Sequence, residues 1–200
     1  MVPALLVLLG VGLLTAEPVI AQQINTPMIF GMSLPLSGPR ATSGEQLKVG
    51  AEACLLATNE NVRLEVHDDG GDPARAAANI RAMAAQPNVL LVLGGGDTEV
   101  TSAVIPVLEE AHLPMIGAVT GAESVRQGRT AYLFHARASH LDESAALTKQ
   151  LFELGIGEIA VVYANTAFGR EGLEGMRIEA SRLALRLVAV ELPASGALRW

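Results

Sequence analysis

The chain has 200 residues, half of them apolar, with 14 Lys or Arg against 21 Asp or Glu and a formal net charge of −7. That length suits one large or two small globular units, and the absence of a basic stripe interleaved with aromatics excludes a nucleic-acid surface. A single cysteine, Cys54, excludes an internal disulfide, and no CxxC or His-rich spacing offers a metal site.

Residues 1–16 carry no charged side chain, and their apolar core, 4–15, is shorter than the roughly 20 residues a membrane span needs. Small and apolar residues at 19–21 suit cleavage after Ala21, so 1–21 reads as an export signal, with a lipid-anchored or uncleaved helix as the alternative. No later segment is long and apolar enough to span a bilayer.

A first strand is expected over 29–34, followed by the loop "PLSGPRATSG" and a helix over 44–58 in which Cys54 is a buried, inert thiol. Residues 62–67 alternate Val, Leu, Val with Arg, Glu, His, the period of a strand with one face less buried. In "HDDGGDP" the four residues His67, Asp68, Asp69 and Asp72 lack the spacing of a calcium loop and read as a capped turn. Asp72 before Pro73 starts a helix over 74–85, because its carboxylate accepts from free N–H groups and proline is tolerated at the first helical position.

The pattern repeats with a strand at 89–93, a helix at 98–112, a strand at 115–119 and a short strand at 132–135. Continuous apolar runs of this kind mark parallel strands covered on both faces, and helices of this length between them imply a doubly wound α/β sheet. A helix at 141–154, a buried strand at 159–164, a helix to about 183 and a strand at 187–192 then begin a second set. The expected division is a signal at 1–21, a first lobe at 27–138, and a crossover helix with the incomplete start of a second lobe at 139–200. Such a chain is a fragment or the product of a truncated gene.

In a doubly wound sheet, ligands bind beyond the carboxyl ends of the strands. The loops there, 35–44, 94–99 and 117–124, are rich in Gly, Ser and Thr and lead into helix starts, where free N–H groups favour a carboxylate. A dinucleotide is excluded, because Glu99 stands where the third glycine of the fingerprint belongs, no G-K-[ST] is present, and Asp97 adds negative charge. Nor is a catalytic constellation spaced along the chain. His112 and His135 read as isolated surface or packing histidines, and His140, near Asp142 and Glu143, as a solvated helix start.

The segments "GMSLPLSGPRATSG", "LEVHDDGGDPARAAANIRAM", "VLLVLGGGDTEVTSAVIPVLEEAHLPMIGAVTGAES", "AYLFHARAS" and "IAVVYANTAFGREGLEGM", in this order, resemble the periplasmic substrate-binding proteins of ABC transporters for branched-chain amino acids. The resemblance covers about 29–176. It implies a type I periplasmic binding fold of two flavodoxin-like lobes that close on a small ligand, with the first crossing between lobes near 137–141. It also implies that Thr98 takes the place of the family's ligand-binding serine, with Asp97 beside it, and that the backbone carbonyl and hydroxyl of the fourth-strand loop fall on Val119, Thr120 and Gly121. Ser43 replaces an aromatic of the first loop, and Phe168 replaces a tyrosine of the second lobe. The loop at 58–61 lacks the family's glycine-rich turn, and the acidic residue for the ligand ammonium falls beyond Trp200.

The resemblance therefore implies a monomeric, periplasmic solute-binding component, with no cofactor, no metal and no enzymatic step. It would deliver an amino acid or similar carboxylate to a membrane permease, its one link to the membrane. A ligand-sensing module of the same fold and a non-functional remnant are the alternatives, with a Rossmann-like enzyme behind them.

Overall fold

A computed structural model describes residues 27–58, 61–128 and 130–192; the expected export signal lies outside them. Among the described residues seven strands and five α-helices follow in the order β1 (Met28–Leu34), α1 (Ala41–Thr58), β2 (Val62–Asp68), α2 (Pro73–Ala84), β3 (Val89–Leu93), α3 (Thr98–Ala111), β4 (Met115–Ile116), β5 (Leu133–Phe134), α4 (His140–Glu153), β6 (Glu158–Ala164), α5 (Ala167–Arg182) and β7 (Arg186–Leu192), with one 3-10 turn, Glu123–Val125, between β4 and β5. Five strands form one parallel sheet in the order β2-β1-β3-β4-β5, and β6 and β7 pair in parallel as a second. The α/β, doubly wound architecture expected from the sequence is the one observed.

The order of the first sheet reverses between β1 and β3. Right-handed crossovers therefore place α1 on one face and α2 and α3 together on the other. Against α2 and α3 lies the main core, in which Ile80, Met83, Val92, Val104, Leu108 and Met115 are almost wholly enclosed. Local signals start these helices where the sequence suggests. Asp72 accepts from Ala74 N–H and Arg75 N–H ahead of Pro73, and Asp97 accepts from Glu99 N–H and Val100 N–H ahead of α3. Ser139 and Asp142 form a reciprocal capping box at α4.

Burial departs from the sequence expectation in three places. The outer strands of the first sheet are not covered on both faces: Val92, Met115 and Leu133 are buried, but Ile116 and Phe134 on the alternate positions of β4 and β5 are exposed, as is Leu90 where the pairing of β3 with β1 shifts register. The cause is that α1 rests chiefly on β1 and β2. For the same reason Cys54 is exposed rather than buried, since α1 buries only Gly44. In the second sheet, β6 is not a buried strand: Ile159 is enclosed, while Ala160, Val162 and Ala164 on the face away from α5 are open.

The fourth and fifth strands are also shorter than expected. The apolar run at 115–119 ends as a strand at Ile116, because Gly117 adopts φ +74°, a left-handed conformation that breaks the extended backbone. The run at 132–135 pairs only through Leu133 and Phe134.

Candidate functional site

Four loops meet at the carboxyl edge of the first sheet, centred on the point where the strand order reverses. Asp68, at the end of β2, accepts from the backbone N–H groups of Leu36 (2.8 Å) and Ser37 (3.1 Å), tying the loop after β1 to the loop after β2. The Ser37 side chain and Gly70 N–H, the leading causes, hold its carboxyl below the usual range. Ser33 Oγ donates to Asp69 at 2.8 Å within the core side of the same turn. The segment read as a capped turn is a capped turn.

Arg40 extends from the loop after β1 to the loop after β3. Its guanidinium donates to the Asp97 carboxylate and, at 3.1 Å, to the Gly71 carbonyl. Burial raises the Asp97 pKa, but Val100 N–H and Arg40 outweigh it, and the carboxyl stays ionised below the usual carboxylate range. Asp97 thus fills the N-terminus of α3 with its own negative charge. The free helix start expected to take a ligand carboxylate is occupied at Glu99 and Val100 by this cap.

Beside the ion pair lies a cavity of about 210 Å³, walled by Pro35, Leu47, Val100 and Val119 and bordered by Ser43, Arg40 and Asp97. On the neighbouring residues Thr98 Oγ1 and Thr120 Oγ1 are 2.7 Å apart, and Thr120 Oγ1 also accepts from Ala122 N–H at 3.1 Å. Apolar walls with few polar groups at one end are the composition of a small-molecule site. The paired hydroxyls have one shared proton between them and the other free to donate outward.

Of the residues singled out in the sequence, Ser43, Asp97 and Val119 line this cavity and Thr98 and Thr120 form the hydroxyl pair next to it. Gly121 and Phe168 are placed differently. Gly121 N–H donates to His140 Nε2 at 3.1 Å, and the Phe168 ring meets the His140 ring edge-on, their centroids 4.7 Å apart. The carbonyl of Val119 accepts from Arg137 Nη1 at 2.8 Å, which leaves it one lone pair.

Three residues of this region were missed in the sequence. Arg40 had a signal, being the one basic residue in the loops 35–44, 94–99 and 117–124. Arg137 had none: its guanidinium joins Val119 to the Glu143 carboxylate, 2.6 Å from Oε2, across a sequence distance no local pattern reports. That ion pair holds the Glu143 carboxyl below its usual range. His140 is a correction, because it is buried rather than a solvated helix start, its ring enclosed by Gly121, Phe168 and Glu171.

The periplasmic binding protein family model matches residues 27–197. The chain belongs to the periplasmic binding protein family. Among solved structures, a substrate-binding periplasmic protein from Ralstonia solanacearum is 31% identical, with a TM-score of 0.70 over 82% of this chain and 48% of its own. A possible leucine/isoleucine/valine-binding protein from Rhodopirellula baltica is 28% identical, with a TM-score of 0.63 over 84% of this chain and 49% of its own. An ABC transporter substrate-binding protein from Sphaerobacter thermophilus, at 24% identity, shares the fold with a TM-score of 0.75 over 87% of this chain and 49% of its own. No protein of curated function matches. This periplasmic binding protein chain spans about half the length of the solved relatives it matches.

Proposed function

We propose that this chain supplies the first ligand wall of an extracytoplasmic solute-binding protein, which takes a small amino acid of the branched-chain kind, or a similar carboxylate, and delivers it to an ABC-type membrane permease. The observation that carries the reading is the Thr98–Thr120 hydroxyl pair beside an apolar cavity at the strand-order reversal. Hydroxyls there donate to a carboxylate, and the Pro35, Leu47, Val100 and Val119 walls receive an aliphatic side chain. Ser43 and the Arg40–Asp97 pair border the same space and set its size and polarity. The likeness to a relative described as a possible leucine/isoleucine/valine-binding protein supports the amino-acid assignment. The role is binding and release, with no covalent step, no cofactor and a single protein copy per ligand.

Thermal unfolding of the chain in the presence of a panel of amino acids, leucine first, tests this. A ligand that binds only the native state adds about 2.7 kcal/mol of stability at a hundredfold excess over its Kd. The expected result is a concentration-dependent rise in Tm with an aliphatic amino acid, abolished in the Thr98→Val, Thr120→Val double variant. A flat Tm across the whole panel would overturn the amino-acid assignment.

A further inference from the structure

His140 opens α4, where the chain leaves the first sheet, and its side chain is 7% exposed. Two groups approach its ring nitrogens from opposite parts of the molecule. On one side is Gly121 N–H, 3.1 Å from Nε2; on the other is Glu171 Oε2 of α5, 2.9 Å from Nδ1. A backbone N–H only donates, so Nε2 must present its lone pair and the ring proton of the neutral imidazole must sit on Nδ1, from which it is donated to Glu171. The backbone closes the contact in the other direction, His140 N–H donating to the Gly121 carbonyl at 2.8 Å.

The fit around the ring leaves little freedom. Phe168 stands edge-on at an interplanar angle of 87°, and a Cβ on Gly121 would lie 2.7 Å from His140 Cδ2 and 3.0 Å from the Ala138 carbonyl oxygen. Only glycine allows the loop this close. Gly121 follows Thr120 directly, so the seat of the loop on His140 also sets where the hydroxyl of Thr120 stands.

We propose that His140 is a positioning residue that couples the loop Thr120–Gly121 to α5, with Glu171 fixing the imidazole tautomer on which the coupling depends. Removing the Glu171 carboxylate frees the proton to move to Nε2, where it would face Gly121 N–H as a second donor. The Gly121 N–H bond to the ring is then lost, although Glu171 does not touch the loop, while the backbone bond from His140 N–H to the Gly121 carbonyl remains. That the coupled loop is a ligand loop rests on the proposed function above; the tautomer link does not.

The test uses the full chain, labelled with ¹⁵N, as wild type, Glu171→Ala and Glu171→Gln. In the wild type the imidazole nitrogen shifts should report Nδ1–H, and the Gly121 amide should exchange slowly. In Glu171→Ala the proton should redistribute toward Nε2 and Gly121 exchange should accelerate by about tenfold, the scale of one hydrogen bond. Glu171→Gln, whose amide carbonyl still accepts from Nδ1–H, should restore both readings. Nε2–H in the wild type, or unchanged Gly121 exchange in Glu171→Ala, overturns the proposal. Leucine is the probe for the ligand end. Where it binds the wild type, weaker binding in Glu171→Ala with recovery in Glu171→Gln supports the coupling, and equal affinity in all three overturns it. A chain that binds neither leucine nor any other amino acid of the panel sinks the ligand assignment instead, and the nitrogen shifts and Gly121 exchange still decide the tautomer link by themselves.

Discussion

In the first sheet, Val92, Met115 and Leu133 stand side by side on neighbouring strands and are buried under α2 and α3, whereas in the second sheet Val162, Val188 and Val190 occupy the same kind of position and are open. Both sheets are parallel βα arrays with similar strand sequences. Burial therefore follows from which helices the crossovers bring to a face, and not from the hydropathy of the strand alone. Within the first sheet the contrast recurs between its two faces at β3, β4 and β5, where one face packs into the core with α2 and α3 and the other leaves Ile116 and Phe134 exposed.

The largest test of that contrast is Met83→Ala. Met83 is wholly enclosed in the core between α2 and the first sheet, and truncation there should cost about 2–5 kcal/mol from lost transfer energy and the cavity left behind. Chemical denaturation of the variant measures it, and a cost below 1 kcal/mol would mean that the first core collapses as easily as an exposed face.

A smaller effect is expected where the first region passes into the second. Ser139→Ala removes the hydroxyl that accepts from Asp142 N–H and donates to the Asp142 carboxylate, and should lower stability by about 1 kcal/mol, the usual worth of an N-cap. The helical signal in circular dichroism during unfolding reads it. If Ser139→Ala leaves the unfolding midpoint where it was, α4 is held by its packing on α5 and the cap is incidental.

The smallest effect belongs to the open face of the second sheet. Val162→Thr keeps the β-branched shape and should change stability by no more than about 0.5 kcal/mol. A loss comparable to that of Met83→Ala, read in the same denaturation experiment, would show that this face is covered in solution and would erase the distinction between the two sheets.

Much of the fold was legible because its signals are local. Asp72-Pro73 announces a helix through two residues whose chemistry acts within one turn, and the strand at 89–93 was read to the residue because its apolar run is bounded by turn-forming sequence. The strand at 115–119 was over-extended for an equally local reason, a φ of +74° at Gly117 that composition alone does not show. Cys54 was misplaced because helical periodicity tells which residues share a side but not whether anything lies against it.

The candidate site divides along the same line. Thr98 and Thr120 were identified from the resemblance to the periplasmic substrate-binding proteins, which placed them in loops that leave strand ends, and the fold brings their hydroxyls to 2.7 Å. Arg40, Arg137 and His140 owe their roles to partners 57, 18 and 19 residues away in the chain.

By itself the sequence determined the alternation of strands and helices, the parallel sheet, the helix caps and the edge at which loops gather, because each depends on residues within a few positions of one another. Only the tertiary structure decided which faces are covered, that Asp97 binds Arg40, and that Gly121 rests on a buried imidazole. Those outcomes turn on distances between segments remote in sequence, where one hydrogen bond or one missing Cβ selects the arrangement.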